Sequence, residues 1–126
     1  MTAVTPAPGP ELPTDPEDVK IIALARSALV RTQAREGACL RDSDGRTYAA
    51  TSIDLPHLQL SAVVVAVAMA VSSGAGGLEA VALAAADRPR EADLDVLRDL
   101  PGQQAVLWHV DQRGEVQHRV GLHGPR

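Results

Sequence analysis

Apolar residues recur at helical spacing in two long stretches of the chain. Asp15 can cap a helix and Pro16 suits its first position, so a first helix is predicted over residues 15–34. The stretch 58–73 is apolar on nearly every side and follows Pro56, which predicts a second helix over 58–73. A helix of that composition is expected to be buried on most sides, between a sheet and a neighbouring subunit or layer.

A third helix is predicted over residues 89–100, from an amphipathic pattern with a proline at its start. The residues expected to face inward are Ala92, Val96, Leu97 and Leu100. Shorter apolar runs bounded by turn residues predict five strands, over 37–41, 46–53, 78–85, 105–110 and 115–120. Asp44-Gly45, between the first two runs, is typical of a hairpin turn.

The predicted order of elements is α-β-β-α-β-α-β-β. The turn at 111–114 is too short for a crossover helix, so the last two strands are predicted to be antiparallel. Helices that alternate with strands in this way predict an α/β fold, a three-layer α-β-α sandwich with a five-stranded mixed sheet. The predicted domain spans 15–121, between a disordered proline-rich leader at 1–14 and a flexible tail at 122–126.

Composition then narrows the function classes. A single cysteine excludes an internal disulfide framework and a multi-thiolate zinc site, and Cys39, between Ala38 and Leu40, is predicted to be a buried structural thiol. The arginines are scattered and aromatic residues make up only 2% of the chain, which argues against a nucleic-acid groove. The apolar stretch 60–71 is too short to span a bilayer and no secretory signal precedes it, so a cytoplasmic protein is predicted.

The order of these elements, and several residues within them, resemble the small cytidine deaminases over about residues 15–120. That family opens its sheet with Gly-Ala-Ala and continues with Asp-Gly-Arg, and this chain has Gly37-Ala38-Cys39-Leu40 and Asp44-Gly45-Arg46. The family's second helix contains Leu-Cys-Ala-Glu, where this chain has Leu60-Ser61-Ala62-Val63. The third helix of the family begins Pro-Cys-Gly-x-Cys, where this chain has Pro89-Arg90-Glu91-Ala92-Asp93. The resemblance implies the cytidine deaminase fold.

The resemblance also implies where deaminase chemistry would take place. In the family, a Cys or His of the second helix and two Cys of the third hold a zinc ion that activates water. A Glu two residues after the first ligand carries the protons. The matching positions of this chain hold Ser61, Val63, Arg90 and Asp93. That set implies neither a metal site nor an acid–base catalyst, so we expect no catalytic residue, no metal and no cofactor.

Other polar residues give two further candidates. The family binds ribose with Asn-x-Glu-Asn, of which Ser52-Ile53-Asp54-Leu55 is a shortened match, so Ser52 and Asp54 are candidate ligand-binding residues. The favoured alternative is that Asp54 serves as a turn or helix cap before Pro56. Arg90 and Asp93 form either an ion pair in the space of the absent metal or, the favoured interpretation, two solvated charges.

The histidines do not follow a metal-binding pattern. His57 is predicted to be a capping or surface residue, and His123 lies in the tail. His109 and His118 fall on the two terminal strands, where they could meet, but no cysteine or acid completes a site with them.

The leading interpretation is a catalytically inactive relative of the deaminases that acts as an oligomeric scaffold or interaction protein. We expect a dimer or tetramer formed through the apolar helix 58–73, with no nucleic-acid or membrane partner. One alternative is a regulator that binds a nucleoside or nucleotide without chemistry. The other is a true nucleoside deaminase with an atypical site.

Overall fold

The computed structural model describes residues 11–123, which contain three helices and seven strands. In chain order they are α1 (Pro16–Thr32), β1 (Gly37–Asp42), β2 (Thr47–Thr51), β3 (Ile53–Leu55), β4 (Leu58–Leu60), α2 (Ala62–Ser72), β5 (Leu78–Ala84), α3 (Glu91–Arg98), β6 (Val106–Val110) and β7 (Val116–Gly121). No helix within 11–123 combines the length and the apolar character needed to cross a membrane.

Five of the strands form one mixed sheet in the order β2-β1-β5-β6-β7. Only β5 and β6 are parallel, and every other neighbouring pair in this sheet is antiparallel. Helix α1 packs on one face of the sheet, and α2 and α3 pack on the other. The three-layer α/β sandwich and its antiparallel ending are therefore confirmed.

Local signals account for the first helix. The Asp15 side chain accepts a hydrogen bond from the backbone N–H of Glu17 at 2.8 Å, and Pro16 occupies the first helical position. The helix ends at Thr32, because Gln33 adopts a left-handed conformation with φ 56°. The buried side of α1, which includes Ile21, Ala25 and Leu29, packs against the sheet.

The second helix begins four residues later than predicted. Residues 58–60 form strand β4, which pairs with β3 in a two-stranded hairpin around Pro56 and His57. The helix starts only after Ser61, whose side chain caps it by accepting the N–H of Val64 at 3.2 Å. The prediction failed because a proline after an extended segment is equally compatible with a tight turn.

The third helix is shorter than predicted, and its buried face is different. Ala92, which was expected to face inward, is exposed, whereas Asp93 and Leu94 are buried with Leu97. A pattern of apolar residues could not identify this face, because one of its members is a carboxylate that is held by a residue of another element.

The described residues extend past both ends of the predicted domain, 15–121. Residues 1–10 of the proposed leader and 124–126 of the proposed tail lie outside the described residues. Leu122, which was assigned to the tail, is buried, and its backbone N–H donates to the carbonyl of Ala105 at 3.0 Å. The packed structure thus continues one residue beyond the predicted boundary at 121.

Candidate functional site

A cleft of about 1250 Å³ opens where the first turns of α2 and α3 approach the end of β5. Its walls are formed by the segments before β1, after β2 and after β5, together with the β3–β4 hairpin and the starts of both helices. That volume is sufficient for a small organic molecule. The cleft contains three of the four positions at which the sequence resemblance placed the deaminase chemistry: Ser61, Arg90 and Asp93.

Ser61 and Asp93 join the two helix starts directly. The Ser61 hydroxyl donates to Oδ1 of Asp93 at 2.8 Å while its oxygen accepts the N–H of Val64. The hydroxyl proton is therefore occupied by a carboxylate from a helix that lies 32 positions further along the chain. This arrangement positions Ser61 as a helix cap and as a link between α2 and α3.

Arg90 is held by Glu36, a residue that the sequence analysis did not select. One nitrogen of its guanidinium, Nη2, donates to both carboxylate oxygens of Glu36, at 3.0 and 3.1 Å. Glu36 Oε1 also accepts the backbone N–H of Ala62 at 3.3 Å, at the start of α2. Because Glu36 immediately precedes β1, it connects the sheet to the first turns of both helices.

Asp93 is not a solvated charge. The residue is 4% exposed, and its Oδ2 atom forms no hydrogen bond within residues 11–123. The nearest cation is Nη2 of Arg90, at 3.6 Å, beyond hydrogen-bonding distance. The favoured sequence interpretation, two solvated charges, is therefore wrong for Asp93, whereas the side chain of Arg90 remains 53% exposed.

We call the connected residues Glu36, Ser61, Arg90 and Asp93 the polar cluster. It contains two carboxylates and one guanidinium, so its formal charge is −1. Both carboxylates are buried, and a buried charge without full compensation is unfavourable. The excess negative charge therefore destabilises the folded protein.

The residues of the polar cluster do not fit the zinc ion that the deaminase resemblance implies. A serine hydroxyl is a weak zinc ligand and a guanidinium repels a cation, which leaves Asp93 as the only suitable donor among the three ligand positions. Val63, which the resemblance places at the position of the proton-carrying Glu, is fully buried in the core and does not line the cleft. Within 11–123, no three His, Cys, Asp or Glu side chains assemble as a metal site.

The two candidate ligand-binding residues both line the cleft, in different environments. The Ser52 hydroxyl accepts the backbone N–H of Glu36 at 3.1 Å, and the Ser52 N–H donates to the Glu36 carbonyl at 3.0 Å. Ser52 thereby fixes the backbone of Glu36. Asp54 is exposed on β3, opposite Gln59, and the predicted helix-capping role of Asp54 is wrong because Ser61 caps α2.

The two strand histidines do meet. The Nδ1 atoms of His109 and His118 lie 3.0 Å apart, and Nε2 of His109 lies 2.9 Å from the carbonyl of Ala85. Burial, the nearby positive charge of Arg88 and His109 lower the pKa of His118. Both ring nitrogens of His109 therefore have hydrogen-bonding partners within the fold.

The comparisons with known proteins agree with the fold described above. The model of the cytidine deaminase-like family matches residues 14–114. No curated protein sequence matches the chain significantly. Among solved structures, cytidine deaminase from Burkholderia pseudomallei superposes with a TM-score of 0.71 at 18% identity, over 82% of this chain and 91% of that one.

Two mycobacterial structures are similar as well. Cytidine deaminase from Mycobacterium tuberculosis gives a TM-score of 0.65 at 20% identity, covering 82% of this chain and 91% of the other. The Mycobacterium leprae enzyme gives 0.66 at 16% identity, covering 86% and 95%. At these identities the likeness establishes a shared fold.

Proposed function

This chain belongs to the cytidine deaminase-like family, and from that premise we propose that it is a member without deaminase activity that serves as an oligomeric scaffold. The observation that carries the loss of activity is the polar cluster itself. Side chains of this protein hydrogen-bond to one another where the resemblance places the metal ligands. A zinc-bound hydroxide and a proton-carrying carboxylate both need residues that these positions do not supply.

Metal analysis and an activity assay test the loss of catalysis. Protein purified without chelators is analysed for zinc, and turnover is followed by the absorbance change on deamination of cytidine, with an authentic zinc-dependent cytidine deaminase as the positive control. We expect substoichiometric zinc and no turnover. One zinc per chain together with turnover would establish the chain as an atypical deaminase and refute the proposal.

The outward side of α2 supports the scaffold role. Met69 is 40% exposed and Val71 is 52% exposed on a helix with no charged residue. Leu55 and Leu58, on the adjoining β3–β4 hairpin, are exposed too. Exposed apolar side chains favour burial against a partner surface, and a second copy of the chain supplies a matching one.

Light scattering after size exclusion tests this assembly. We expect a dimer or tetramer for the wild type and a shift toward monomer for Met69→Lys. Val30→Lys is the matched control, because Val30 is an exposed valine on α1, on the opposite face of the sheet. A wild-type monomer at micromolar concentration would exclude the scaffold role as proposed, and equal effects of the two substitutions would place the interface elsewhere.

A second candidate function is ligand binding without chemistry, favoured by the cleft of about 1250 Å³ beside the polar cluster. Thermal-shift measurements with nucleosides and nucleotides test the nucleoside version of this function. A stabilisation that saturates with concentration would support it, and no shift with any of these compounds would exclude it.

A further inference from the structure

We propose that the cleft binds a small organic cation, an amine, amidine or guanidine, whose nitrogen donates a hydrogen bond to Oδ2 of Asp93. In the bound state the ligand takes the place next to Asp93 that the Arg90 guanidinium occupies in the free protein. This inference rests on the proposed absence of a metal at the same position, and it specifies the ligand class for the cleft.

The first support is the charge of the cleft. Within the polar cluster, Arg90 forms its hydrogen bonds with Glu36. The negative charge of Asp93 therefore has no cation within hydrogen-bonding distance. The other charged residues of the cleft wall are Asp54, Asp87 and Arg35, all exposed. Counting all six charged residues gives four acids and two arginines, a formal charge of −2, which favours a cationic occupant.

The second support is the unpartnered oxygen. Oδ1 of Asp93 accepts from Ser61, but Oδ2 is buried and accepts from no group within residues 11–123. Buried carboxylate oxygens are normally hydrogen-bonded, and one that is left without a donor destabilises the fold. Because Asp93 lines the cleft, a donor that enters the cleft could satisfy this oxygen.

The third support is the asymmetry between Arg90 and Asp93. Asp93 is fixed in the wall by burial and by Ser61, whereas Arg90 is half-exposed and carries a long, flexible side chain. Arg90 can therefore move away from Asp93 while Asp93 stays in place, and any of its bonds to Glu36 that break leave that carboxylate free to accept from the same cation. A cation with an N–H donor that fits between them gains a charge-assisted hydrogen bond that Arg90, at 3.6 Å, does not make.

The test compares cations with neutral molecules of the same shape. Methylguanidinium is compared with methylurea, and 1,4-diaminobutane with 1,4-butanediol, in amide-resolved NMR titrations at constant ionic strength. We expect saturable shifts for the cations at amides near Ser61 and Asp93, and none for the neutral partners. Equal responses to a cation and its neutral partner, or no response to any of the four, would overturn the proposal.

Three variants locate the contact. Asp93→Asn keeps the shape and an acceptor for Ser61, and it is expected to weaken cation binding by about tenfold or more. Asp95→Asn, on the same helix but strongly exposed and paired with Arg98, is the matched control and should bind as the wild type does. Arg90→Gln removes the competing cation and is expected to tighten binding several-fold.

The Arg90 variant keeps the test decisive if Asp93→Asn does not fold. Weaker cation binding by Arg90→Gln than by the wild type would contradict the proposal. Zinc is measured on the same sample, so the two proposals fail separately. If the protein contains no zinc and binds none of the cations, only the cation-binding proposal is excluded. If it contains one zinc per chain, the proposed loss of the metal site is excluded as well.

Discussion

Ser61 Oγ and Asp93 Oδ1 lie 2.8 Å apart and tie the first turn of α2 to the first turn of α3. The same hydroxyl caps α2, so a single side chain links a local helix signal to a contact between two helices. This bond and the Arg90–Glu36 pair hold together three segments, the two helix starts and the residue before β1.

The link between Ser61 and Asp93 predicts a sizeable loss of stability for Ser61→Ala. The substitution removes the cap of α2 and, within residues 11–123, the only hydrogen-bond donor to the buried carboxylate of Asp93, so we expect a loss of about 2–4 kcal/mol. Urea denaturation at neutral pH measures the change. Ser72→Ala, at the exposed end of the same helix, should stay within about 0.5 kcal/mol of the wild type. Equal stabilities for the two variants would show that the link contributes little.

A buried ion pair lies on the α1 side of the sheet. Asp18 accepts from Arg41 at 2.8 Å and from the indole N–H of Trp108 at 3.1 Å, and Arg41 is 4% exposed. Asp18→Asn leaves the buried guanidinium without its main partner, for which we expect a loss of about 3 kcal/mol in urea denaturation.

A double variant separates the effect of the Arg41 charge on stability from the effect of side-chain packing on the same side of the sheet. Asp18→Asn combined with Arg41→Met is expected to recover part of the loss, because no uncompensated charge remains in the interior. Glu17→Gln, one position earlier and exposed, is the control and should change little. A double variant less stable than Asp18→Asn would contradict this account.

The turn between β1 and β2 predicts an acid-sensitive contribution to stability. Burial by itself would raise the pKa of Asp42, but hydrogen bonds from the Arg46 N–H, the Tyr48 hydroxyl and the Asp44 N–H outweigh burial and lower the pKa below its ordinary value. A carboxyl whose pKa is lower in the folded state stabilises the fold above the unfolded pKa, and this stabilisation is lost as the pH falls through the folded value.

Denaturation curves measured between pH 6 and pH 2 test this contribution. These two pH values lie on either side of the pKa of about 3.9 for an unperturbed aspartate. The stability of the wild type should fall with decreasing pH more steeply than that of Asp42→Asn. Tyr48→Phe, which removes one of the three hydrogen bonds, should show an intermediate slope. Parallel curves for all three proteins would refute the assignment.

The single cysteine is expected to be unreactive in the folded protein. Burial raises the pKa of Cys39 to about 11, so little thiolate forms at pH 8. We expect labelling by a disulfide reagent to be on the order of a hundredfold slower in native protein than in urea. Native labelling as fast as in urea would show that β1 opens readily or that the thiol is accessible.

Much of the scaffold could be predicted because its signals are local. The cap at Asp15 and the Asp44-Gly45 turn each act within a few residues, and the short connection at 111–114 leaves the last two strands one arrangement. The β3–β4 hairpin was missed because its three-residue strands show no alternation that separates them from the start of an apolar helix.

The amino-acid sequence by itself determined which side chains the family resemblance places at the metal-ligand positions, since that placement needs only the order and identity of the residues. Only the tertiary structure decided what those side chains do there. Glu36 joins Arg90 across 54 positions and Ser61 joins Asp93 across 32, and no local pattern encodes such distant pairs. The burial of Asp93, and its oxygen without a hydrogen bond, arise because α2, α3 and the edge of the sheet pack around one carboxylate.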